Sequence, residues 1–461
     1  MRLGECSELH EECAVFGLFN QDGLDGASMA YQALYSMQHR GQDGAGIAAS
    51  TASKITYYKN LGLVGEVFSE DVLRSLGRQQ IYVGHTRYAT STGSGLPMNT
   101  QPLVMHGRDG FLAMAHNGRI VNGALLREKL QNQGMLFQTD LDSEALMHLI
   151  ARNPMDIVEG VREMMWQVQG SYALTLMAPN TLVGVRDPWG MRPLCIGKIG
   201  EGSYVLASES CGLDAIGATF LRDVDPGEIV LVDEQGIHST RTPQKGAGSF
   251  CVFEYVYFAR NDSRIGGLGV YDARRRMGEL LSQVCPVEAD LVAGVPDSAL
   301  PAAMGYAEKS GIPYGLALIK NTYSGRTFIQ EGQKKRERSV RMKLSPLKET
   351  VAGKRIVLVD DSIVRGTNSM HIVRMLRGAG AKEVHMRIAS PPVQFPCHFG
   401  INTPNARRLV GARKNVEQLC SKIGADTLAY LGLEDLKKAV AEADTGVCCA
   451  CFDGCYPMPI S

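Results

Sequence analysis

Short apolar or alternating runs, bounded by glycine, proline and asparagine, recur through the first half of the chain. Such runs predict β-strands, and they are CAVFGLF (13–19), GAGIAAS (44–50), IYVGHTRYA (81–89), FLAMAHNGRI (111–120), SYALTLM (171–177) and YVLASES (204–210). Apolar residues at helical spacing predict two helices between them, around 27–38 and around 142–152. Together these elements favour an α+β sandwich of layered sheets with flanking helices.

The pattern changes in the second half, where the apolar runs are nearly continuous. They are ADLVAGV (289–295), RIVLVDD (355–361) and EVHMRIA (383–389), with helical segments between them. Strands buried on both faces have this composition, which predicts βαβ units on a parallel sheet. A last strand and a Gly/Thr/Lys-rich tail at 226–249 separate the two patterns. We therefore predict two domains, 13–245 and 246–461.

Composition narrows the class of protein. The chain has 461 residues, beyond the roughly 250–300 at which one core usually divides. Because 48 Lys and Arg balance 48 Asp and Glu, we expect neither a nucleic acid nor a membrane partner. The acidic N-terminus MRLGECSELHEEC is unlike a secretory signal, and this predicts a cytoplasmic protein. Its twelve cysteines are then expected to be thiols, available for catalysis or metal binding.

The segment VDDSIVRGT (359–367) carries the clearest chemistry of the second half. It follows a predicted strand at the carboxyl edge of the sheet, where open parallel sheets bind ligands. The turn and the N-terminus of the next helix can direct backbone N–H groups at a phosphate. The carboxylates of Asp360 and Asp361 suit the hydroxyls of a ribose, or Mg²⁺. An acidic strand end with an ordinary helix cap is the simpler alternative, but the nine-residue combination favours a phosphorylated sugar.

The same segment resembles the loop with which type I phosphoribosyltransferases bind phosphoribosyl diphosphate (PRPP). GVPDS (294–298) resembles the diphosphate-side loop of that family, and KNTYSGRTFI (320–329) resembles the mobile lid of its glutamine-using members. Such a lid excludes water from a reactive sugar cation. The resemblance implies one Mg²⁺ per subunit at Ser298, Asp360 and Asp361. It implies PRPP contacts from Lys320, Tyr323, Arg326, Asp360, Asp361, Ser362, Arg365, Gly366 and Thr367.

Cys13 is the candidate nucleophile of the first half. A cysteine that opens an apolar strand is more often a core residue. Cleavage after Glu12, however, would make Cys13 the first residue of the mature chain and place a free α-amino group, with a pKa of about 7.7–8.0, beside its thiol. Such an amine can serve as the general base for the thiol. We therefore predict that residues 1–12 are a propeptide removed on maturation.

Four further segments resemble, in this order, the glutaminase domain of N-terminal-nucleophile amidotransferases: HRGQDGAG (39–46), HTRYAT (85–90), HNG (116–118) and DLDSEA (140–145). Asn117 and Gly118 would then stabilise the oxyanion formed when Cys13 attacks the glutamine amide. Arg87 suits the substrate carboxylate and Asp142 its ammonium, and Thr90 joins the glutamine site by resemblance. Taken singly, Asn-Gly is also a common hairpin turn, and Arg87 or Asp142 could form surface ion pairs.

Cysteines of the second half form a third group. A C-x₂-C pair with two remote thiols suits either tetrahedral Zn²⁺ or an iron–sulfur cluster, and the spacing leaves both open. Some members of the resembled family carry a [4Fe–4S] cluster on cysteines in the contexts CVFEYVYF, FPCHFG and CACFDGCYP. The resemblance thus implies one [4Fe–4S] cluster per subunit on Cys251, Cys397, Cys448 and Cys451, with Cys449 and Cys455 as nearby alternatives.

The resemblance covers residues 13 to about 456 and joins both halves into a glutamine-dependent phosphoribosyltransferase. It implies an αββα N-terminal-nucleophile hydrolase sandwich followed by an α/β type I phosphoribosyltransferase domain with a parallel sheet. The implied reaction hydrolyses glutamine and transfers the ammonia to C1 of PRPP, giving 5-phosphoribosylamine, glutamate and diphosphate in the first step of purine synthesis. The family also implies a homotetramer and feedback inhibition by purine nucleotides.

Two alternative functions would each account for only one half of the sequence pattern. Another N-terminal-nucleophile amidotransferase, such as glucosamine-6-phosphate synthase, shares the first half but would lack VDDSIVRGT. A transcriptional regulator that senses PRPP on a phosphoribosyltransferase fold shares the second half. Such a regulator would need a DNA-binding module and a basic surface, whereas this chain has zero net charge.

Overall fold

The fold is that of a computed structural model, which describes residues 13–51, 53–88, 95–107, 110–153, 156–242, 246, 248–321, 344–403, 406–444 and 446–460. The predicted propeptide 1–12 and the predicted site residues Thr90, Tyr323 and Arg326 lie outside the described residues.

Two antiparallel sheets form the centre of the first half. Their strands are β1 (Ala14–Phe19), β2 (Gly44–Thr51), β3 (Lys54–Leu61), β4 (Ile81–Arg87), β5 (Leu103–Gly107), β6 (Gly110–Ile120), β7 (Gly170–Ala178), β8 (Thr181–Arg186), β9 (Cys195–Ile199), β10 (Ser203–Ala207), β11 (Thr219–Asp223), β12 (Glu228–Asp233) and β13 (Gly236–Arg241). One sheet has the order β11-β9-β10-β1-β4-β2-β3 and the other β13-β12-β8-β7-β6-β5.

Helices cover the outer face of each sheet. They are α1 (Gly26–Ser36), α2 (Val64–Val67), α3 (Glu70–Leu76) and α7 (Ser210–Asp214) on the first sheet, and α4 (Gly123–Asn132), α5 (Ser143–Ile150) and α6 (Ile157–Gln167) on the second. Side chains along β1 point alternately to the two faces of the sheet. Phe16 and Leu18 face the helices, while Val15 and Phe19 pack between the sheets. The predicted αββα sandwich is confirmed.

A parallel sheet of order β17-β20-β21-β22 forms the centre of the second half. The strands here are β14 (Phe250–Cys251), β15 (Arg264–Ile265), β16 (Leu268–Gly269), β17 (Leu291–Gly294), β18 (Leu318–Lys320), β19 (Leu344–Pro346), β20 (Arg355–Asp360), β21 (Glu383–Ile388), β22 (Thr427–Tyr430) and β23 (Val447–Cys448). The helices are α8 (Val270–Val284), α9 (Leu300–Ser310), α10 (Lys348–Val351), α11 (Thr367–Gly378), α12 (Val416–Ile423), α13 (Leu433–Ala439) and α14 (Ala450–Asp453), with a π-helical turn at Glu254–Phe258 and 3₁₀ turns at Gln38–Arg40, Pro97–Asn99 and Ala406–Arg408.

Strand β20 is buried on both faces, as its continuous apolar sequence predicts. Ile356 and Leu358 pack into the core with α11, while Val357 and Val359 pack into the core with α8 and α9. The α/β prediction is confirmed. The boundary at 245/246 stays a prediction, and it lies between β13 and β14.

Several predicted elements differ from the observed ones. The run at 204–210 is a shorter strand, β10, followed by helix α7, and the stretch at 226–249 contains a hairpin of two strands, β12 and β13. Helices α4 and α6 and strand β22 are among the elements that were not predicted, and β22 has only four residues, too few for a periodic pattern. No helix within the described ranges is long and apolar enough to cross a membrane.

Candidate active site

Cys13 lies at the start of β1, between two neighbouring strands of the first sheet. Its thiol sulfur accepts from the Tyr88 backbone N–H at 3.5 Å and lies 3.9 Å from the Tyr88 carbonyl. Its own carbonyl accepts from Nε of Arg40 at 3.3 Å. The pairing of β1 with β4 holds this geometry, with Ala14 opposite Thr86. The nucleophile predicted from sequence is therefore fixed by backbone pairing on one side and by a buried guanidinium on the other.

A cavity of about 70 Å³ opens beside the Cys13 thiol. Four predicted glutamine-site residues line it together, namely Cys13, Arg87, Gly118 and Asp142, with Tyr88, Gln101, His116, Leu141, Ser143 and Gly400 completing the wall. Arg87 is 3% exposed, so the alternative that it forms a surface ion pair is wrong. Asp142 accepts the Ile120 N–H at 2.9 Å, and this bond ties it to the end of β6.

Asn117 and Gly118 lie inside strand β6, paired with Ala173 and Tyr172 of β7. The alternative that Asn-Gly forms a hairpin turn is therefore wrong. Gly118 has φ of 138°, and a Cβ there would lie 2.1 Å from the Ser171 carbonyl oxygen, so only glycine fits. The Asn117 side chain is fully buried, and within the described residues neither its nitrogen nor its oxygen has a hydrogen-bond partner. An unpaired buried amide is costly and is the feature expected of a group that awaits a ligand.

The protonation chemistry around Cys13 points away from a preformed thiolate. Burial raises the pKa of the Cys13 thiol, and the Tyr88 hydrogen bond, Arg87 and Arg40 only oppose that rise. Burial also lowers the pKa of His85 to about 3 and lowers the pKa of His116. Neither histidine suits the role of a general base near neutral pH, so the thiol needs another one.

Sequence reasoning assigned no role to several residues that shape this site. His116 Nδ1 lies 2.8 Å from the Ser143 hydroxyl, which fixes the start of α5 next to Asp142. Arg40 and His116 lie in the segments 39–46 and 116–118, so the resemblance of those segments to the family was the only indication that these two residues belong to the site. Gly400 comes from the second half of the chain, and nothing in its local sequence marks it as part of a glutamine cavity.

The second candidate site lies at the carboxyl edge of the parallel sheet. Asp360 ends β20 and Asp361 follows it, and each side chain is 9% exposed. The Ser298 hydroxyl donates to Asp361 at 2.5 Å and the Ser362 hydroxyl donates to its other oxygen at 2.8 Å. Ser298, from the loop after β17, therefore lies beside the paired carboxylates as the sequence predicts.

The turn after β20 leads directly into helix α11. Gly366 adopts φ of 74° before Thr367 begins the helix, a left-handed conformation that favours glycine. Ser362, Arg365, Gly366 and Thr367 thus surround one helix N-terminus, where N–H groups attract phosphate. Lys320 ends β18 and pairs with Asp297 of the Ser298 loop. A larger hollow of about 540 Å³ lies between the ends of α8 and α9 and contains none of the predicted residues.

Comparison with known proteins joins these two sites into one enzyme. A sequence profile described as a glutamine amidotransferase domain matches residues 85–215, and one described as a phosphoribosyl transferase domain matches residues 270–389. Amidophosphoribosyltransferase of Bacillus subtilis is 46% identical over 99% of this chain and 96% of the relative. The chain belongs to the amidophosphoribosyltransferase family. Its relative from Archaeoglobus fulgidus is 45% identical over 97% of this chain and 98% of the relative.

The same family is found among solved structures. Glutamine PRPP amidotransferase from Bacillus subtilis, complexed with ADP and GMP, aligns with a TM-score of 0.90 at 46% identity, covering 97% of this chain and 98% of that one. As an amidophosphoribosyltransferase, the chain carries a glutamine amidotransferase domain and a pentosyltransferase domain and acts in the first step of purine biosynthesis. Both alternatives, the sugar-phosphate amidotransferase and the PRPP-sensing regulator, are wrong.

The cysteines assigned to a cluster come together near the chain end of this amidophosphoribosyltransferase. Cys251 and Cys448 are directly opposite in the pairing of β14 with β23. Burial raises the pKa of Cys251 to about 12, and the nearby Cys397 and Cys448 add to it. Burial also raises the pKa of Cys451 well above its usual value, again with contributions from Cys251, Cys397 and Cys448. Among the described residues, no group of three or more His, Cys, Asp or Glu has the geometry to hold a single metal ion.

Proposed function

We propose that Cys13 is the glutaminase nucleophile of this amidophosphoribosyltransferase and that residues 1–12 are a propeptide whose removal frees its α-amino group. The released amine takes the proton of the thiol as the sulfur attacks the side-chain amide of glutamine, and a γ-glutamyl thioester and ammonia result. This role is supported by the raised pKa of the Cys13 thiol, since a buried thiol needs an adjacent base.

Asn117 and Gly118 stabilise the oxyanion of this step. The proposal rests on the buried Asn117 amide, which has no hydrogen-bond partner among the described residues. One such donor contributes roughly 3–4 kcal/mol to the transition state. Arg87 and Asp142 line the same cavity and have the charges that match the carboxylate and ammonium of free glutamine. By resemblance, Thr90 belongs to the same substrate site.

PRPP binds at the carboxyl edge of the parallel sheet. The N–H groups of the turn before α11 hold its 5-phosphate, with Ser362, Arg365, Gly366 and Thr367, and Asp360 and Asp361 accept from its ribose hydroxyls. Lys320, Tyr323 and Arg326 contact the diphosphate. One Mg²⁺ per subunit, held by Ser298, Asp360 and Asp361, would neutralise the departing diphosphate, and the 2.5 Å contact of the Ser298 hydroxyl with Asp361 supports this ligand set.

A [4Fe–4S] cluster on Cys251, Cys397, Cys448 and Cys451 fits the local chemistry. Cys397 accepts the Phe399 N–H at 3.3 Å, a bond of the kind that stabilises cluster thiolates. Cys455 is exposed, whereas the four assigned cysteines are buried or half-buried, and this favours the assigned set over Cys455. When bound, the cluster would tie β14, β23 and the 397–400 loop together.

The remaining properties follow from the relatives. The Bacillus subtilis protein was solved with ADP and GMP, which supports inhibition of this chain by purine nucleotides, and we extend the homotetramer to it as well. The described cysteines are all free thiols, in keeping with a cytoplasmic protein. The domains are 13–245 for glutamine and 246–461 for PRPP.

Replacement of the nucleophile tests the proposal. Cys13→Ser should abolish glutamine-dependent diphosphate release from PRPP while leaving release with added ammonia within about twofold. Cys420→Ser is the matched control, because Cys420 is also half-buried but its thiol bonds the Ala425 carbonyl and does not line the Cys13 cavity. Loss of both activities in Cys13→Ser, or full glutamine use by protein that retains residues 1–12, would contradict the proposal.

A further inference from the structure

The carboxylate of Glu254 is fully buried and belongs to the second half of the chain, in the π-helical turn after β14. Two arginines from the first half converge on it. Arg40 reaches it with both terminal nitrogens, at 2.7 and 2.8 Å, and a nitrogen of Arg192 lies 3.7 Å away. Both guanidinium groups are almost fully buried, at 1% and 0% exposure.

Arg40 also contacts a residue of the Cys13 cavity wall, and Arg192 contacts the residue that directly precedes one. Arg40 donates to the Cys13 carbonyl from Nε at 3.3 Å. Arg192 donates to the Phe399 carbonyl, which also accepts from the Ser171 hydroxyl at 2.5 Å. The residue after Phe399 is Gly400, which lines the cavity. The carboxylate of Glu254 is thus connected, through two arginines, to two separate parts of the same cavity.

Stability alone does not explain this arrangement. A buried ion pair loses the hydration of both charges, and apolar side chains of similar size are often as stabilising. What the ion pair does supply is geometry, because a guanidinium fork bonded at both ends has a fixed direction. Arg40 is held by Glu254 on one side and by Glu209 at 2.6 Å on the other.

We infer that Glu254 is a positioning residue for glutamine hydrolysis, which holds Arg40 and Arg192 so that the Cys13 backbone and Gly400 close the glutamine cavity. The second domain then supplies part of the glutamine site. The inference rests on the proposed role of Cys13. It adds that glutamine hydrolysis depends on a carboxylate that never contacts glutamine.

The variant Glu254→Gln tests this, since it keeps the shape of the side chain and removes its charge. The expected result is a rise in KM for glutamine of about tenfold to a hundredfold, the equivalent of one charge-assisted hydrogen bond. Ammonia-dependent turnover should change by less than about twofold. Labelling of Cys13 by a diazoketone analogue of glutamine should slow by the same factor as kcat/KM, a readout that a general loss of folded protein would not mimic.

Glu228→Gln is the matched control. Glu228 is also a buried carboxylate held by an arginine, Arg222 at 2.7 Å, but its hydrogen-bond partners among the described residues all lie in the first half and outside the cavity. Its glutamine KM should stay unchanged. Ser171→Ala provides a second test if Glu254→Gln does not fold, because it removes the hydroxyl bond to Phe399 together with the weaker bond that this hydroxyl accepts from the Arg119 N–H at 3.3 Å, and it should raise the glutamine KM by about three- to tenfold.

The outcomes separate this inference from the proposal on which it rests. Equal labelling rates in Glu254→Gln and Glu228→Gln, with Cys13 still the labelled residue, would overturn the positioning role alone. The same holds for a normal glutamine KM in Ser171→Ala. Labelling at a residue other than Cys13 in the unmodified enzyme would instead overturn the proposed nucleophile.

Discussion

Replacement of Asn117 by leucine should separate the activity of this enzyme from its stability. Asn117 is fully buried in β6, and its amide has no hydrogen-bond partner among the described residues. An unpaired buried amide costs about 1–3 kcal/mol, and leucine has nearly the same shape without the polar atoms. We therefore expect Asn117→Leu to raise the free energy of unfolding by about 1–3 kcal/mol. Loss of the oxyanion donor should lower kcat with glutamine by about 100- to 1000-fold.

Asn99→Leu is the matched control for the stability measurement. Asn99 is also 0% exposed, but its side-chain oxygen accepts the Asp140 N–H at 3.2 Å and its nitrogen lies 3.5 Å from the Asp140 carboxylate. Removing a satisfied amide breaks both bonds to Asp140, so this variant should lose about 0.5–1.5 kcal/mol per bond instead of gaining stability.

Urea denaturation followed by fluorescence, together with glutamine- and ammonia-dependent turnover, measures both effects. Ammonia-dependent turnover of Asn117→Leu should remain within about twofold, because the PRPP site is untouched. If Asn117→Leu loses as much stability as Asn99→Leu, the Asn117 amide is paired in the folded protein and is not held for a ligand. If glutamine turnover falls less than about tenfold, the oxyanion assignment is wrong.

Three further outcomes are expected. Changing Asp360 and Asp361 together to Asn should lower PRPP turnover by about 100-fold or more, since each removes a charge-assisted bond, while labelling of the glutamine site by a diazoketone stays unchanged. Gly366→Ala should raise the KM for PRPP, whereas Gly353→Ala, with nearly the same φ (73° against 74°), should lose similar stability, about 1–2 kcal/mol, with an unchanged KM. Burial lowers the pKa of His85 to about 3 in the folded protein, so below pH 6.5 His85 is protonated in the unfolded chain but not in the folded one. Its contribution to the free energy of unfolding should therefore fall by about 1.4 kcal/mol per pH unit as the pH is lowered towards 3. His85→Gln should remove this contribution to the pH dependence in urea titrations.

Local sequence was sufficient wherever one strand and its next turn carry the chemistry. The continuous apolar run of β20 predicts a doubly buried strand, and its position directly before Asp360 places the carboxylates at the ligand-binding edge. The order of the glutaminase segments likewise predicted Cys13, Arg87 and Asp142, which line one cavity in the structure. In each case the deciding residues are close in the chain or arranged in an order that a whole family shares.

Contacts between segments that are distant in the chain could not be predicted, because local sequence patterns carry no information about them. Arg40 is separated by 169 residues from Glu209 and by 214 from Glu254, and a buried ion pair leaves no periodicity in the sequence. Gly400 lines the Cys13 cavity because the second half of the chain contacts the first, and the bond from the Ser171 hydroxyl to the Phe399 carbonyl is one of these contacts. Sequence patterns report which face of an element is buried, but they do not report which distant charge it meets.

In the proposed mechanism, the half-buried thiol of Cys13 links maturation to catalysis. The surrounding Arg40 and Arg87 are cations that favour a thiolate, yet burial outweighs them and keeps the pKa of the thiol raised. A preformed thiolate would react with many electrophiles, whereas a protonated thiol reacts only when a base removes its proton during the attack. If that base is the α-amine of Cys13 itself, the precursor is inactive towards glutamine without any occluding segment. The charged side chains then serve to fix the backbone around the thiol, and cleavage of one peptide bond supplies the reactivity.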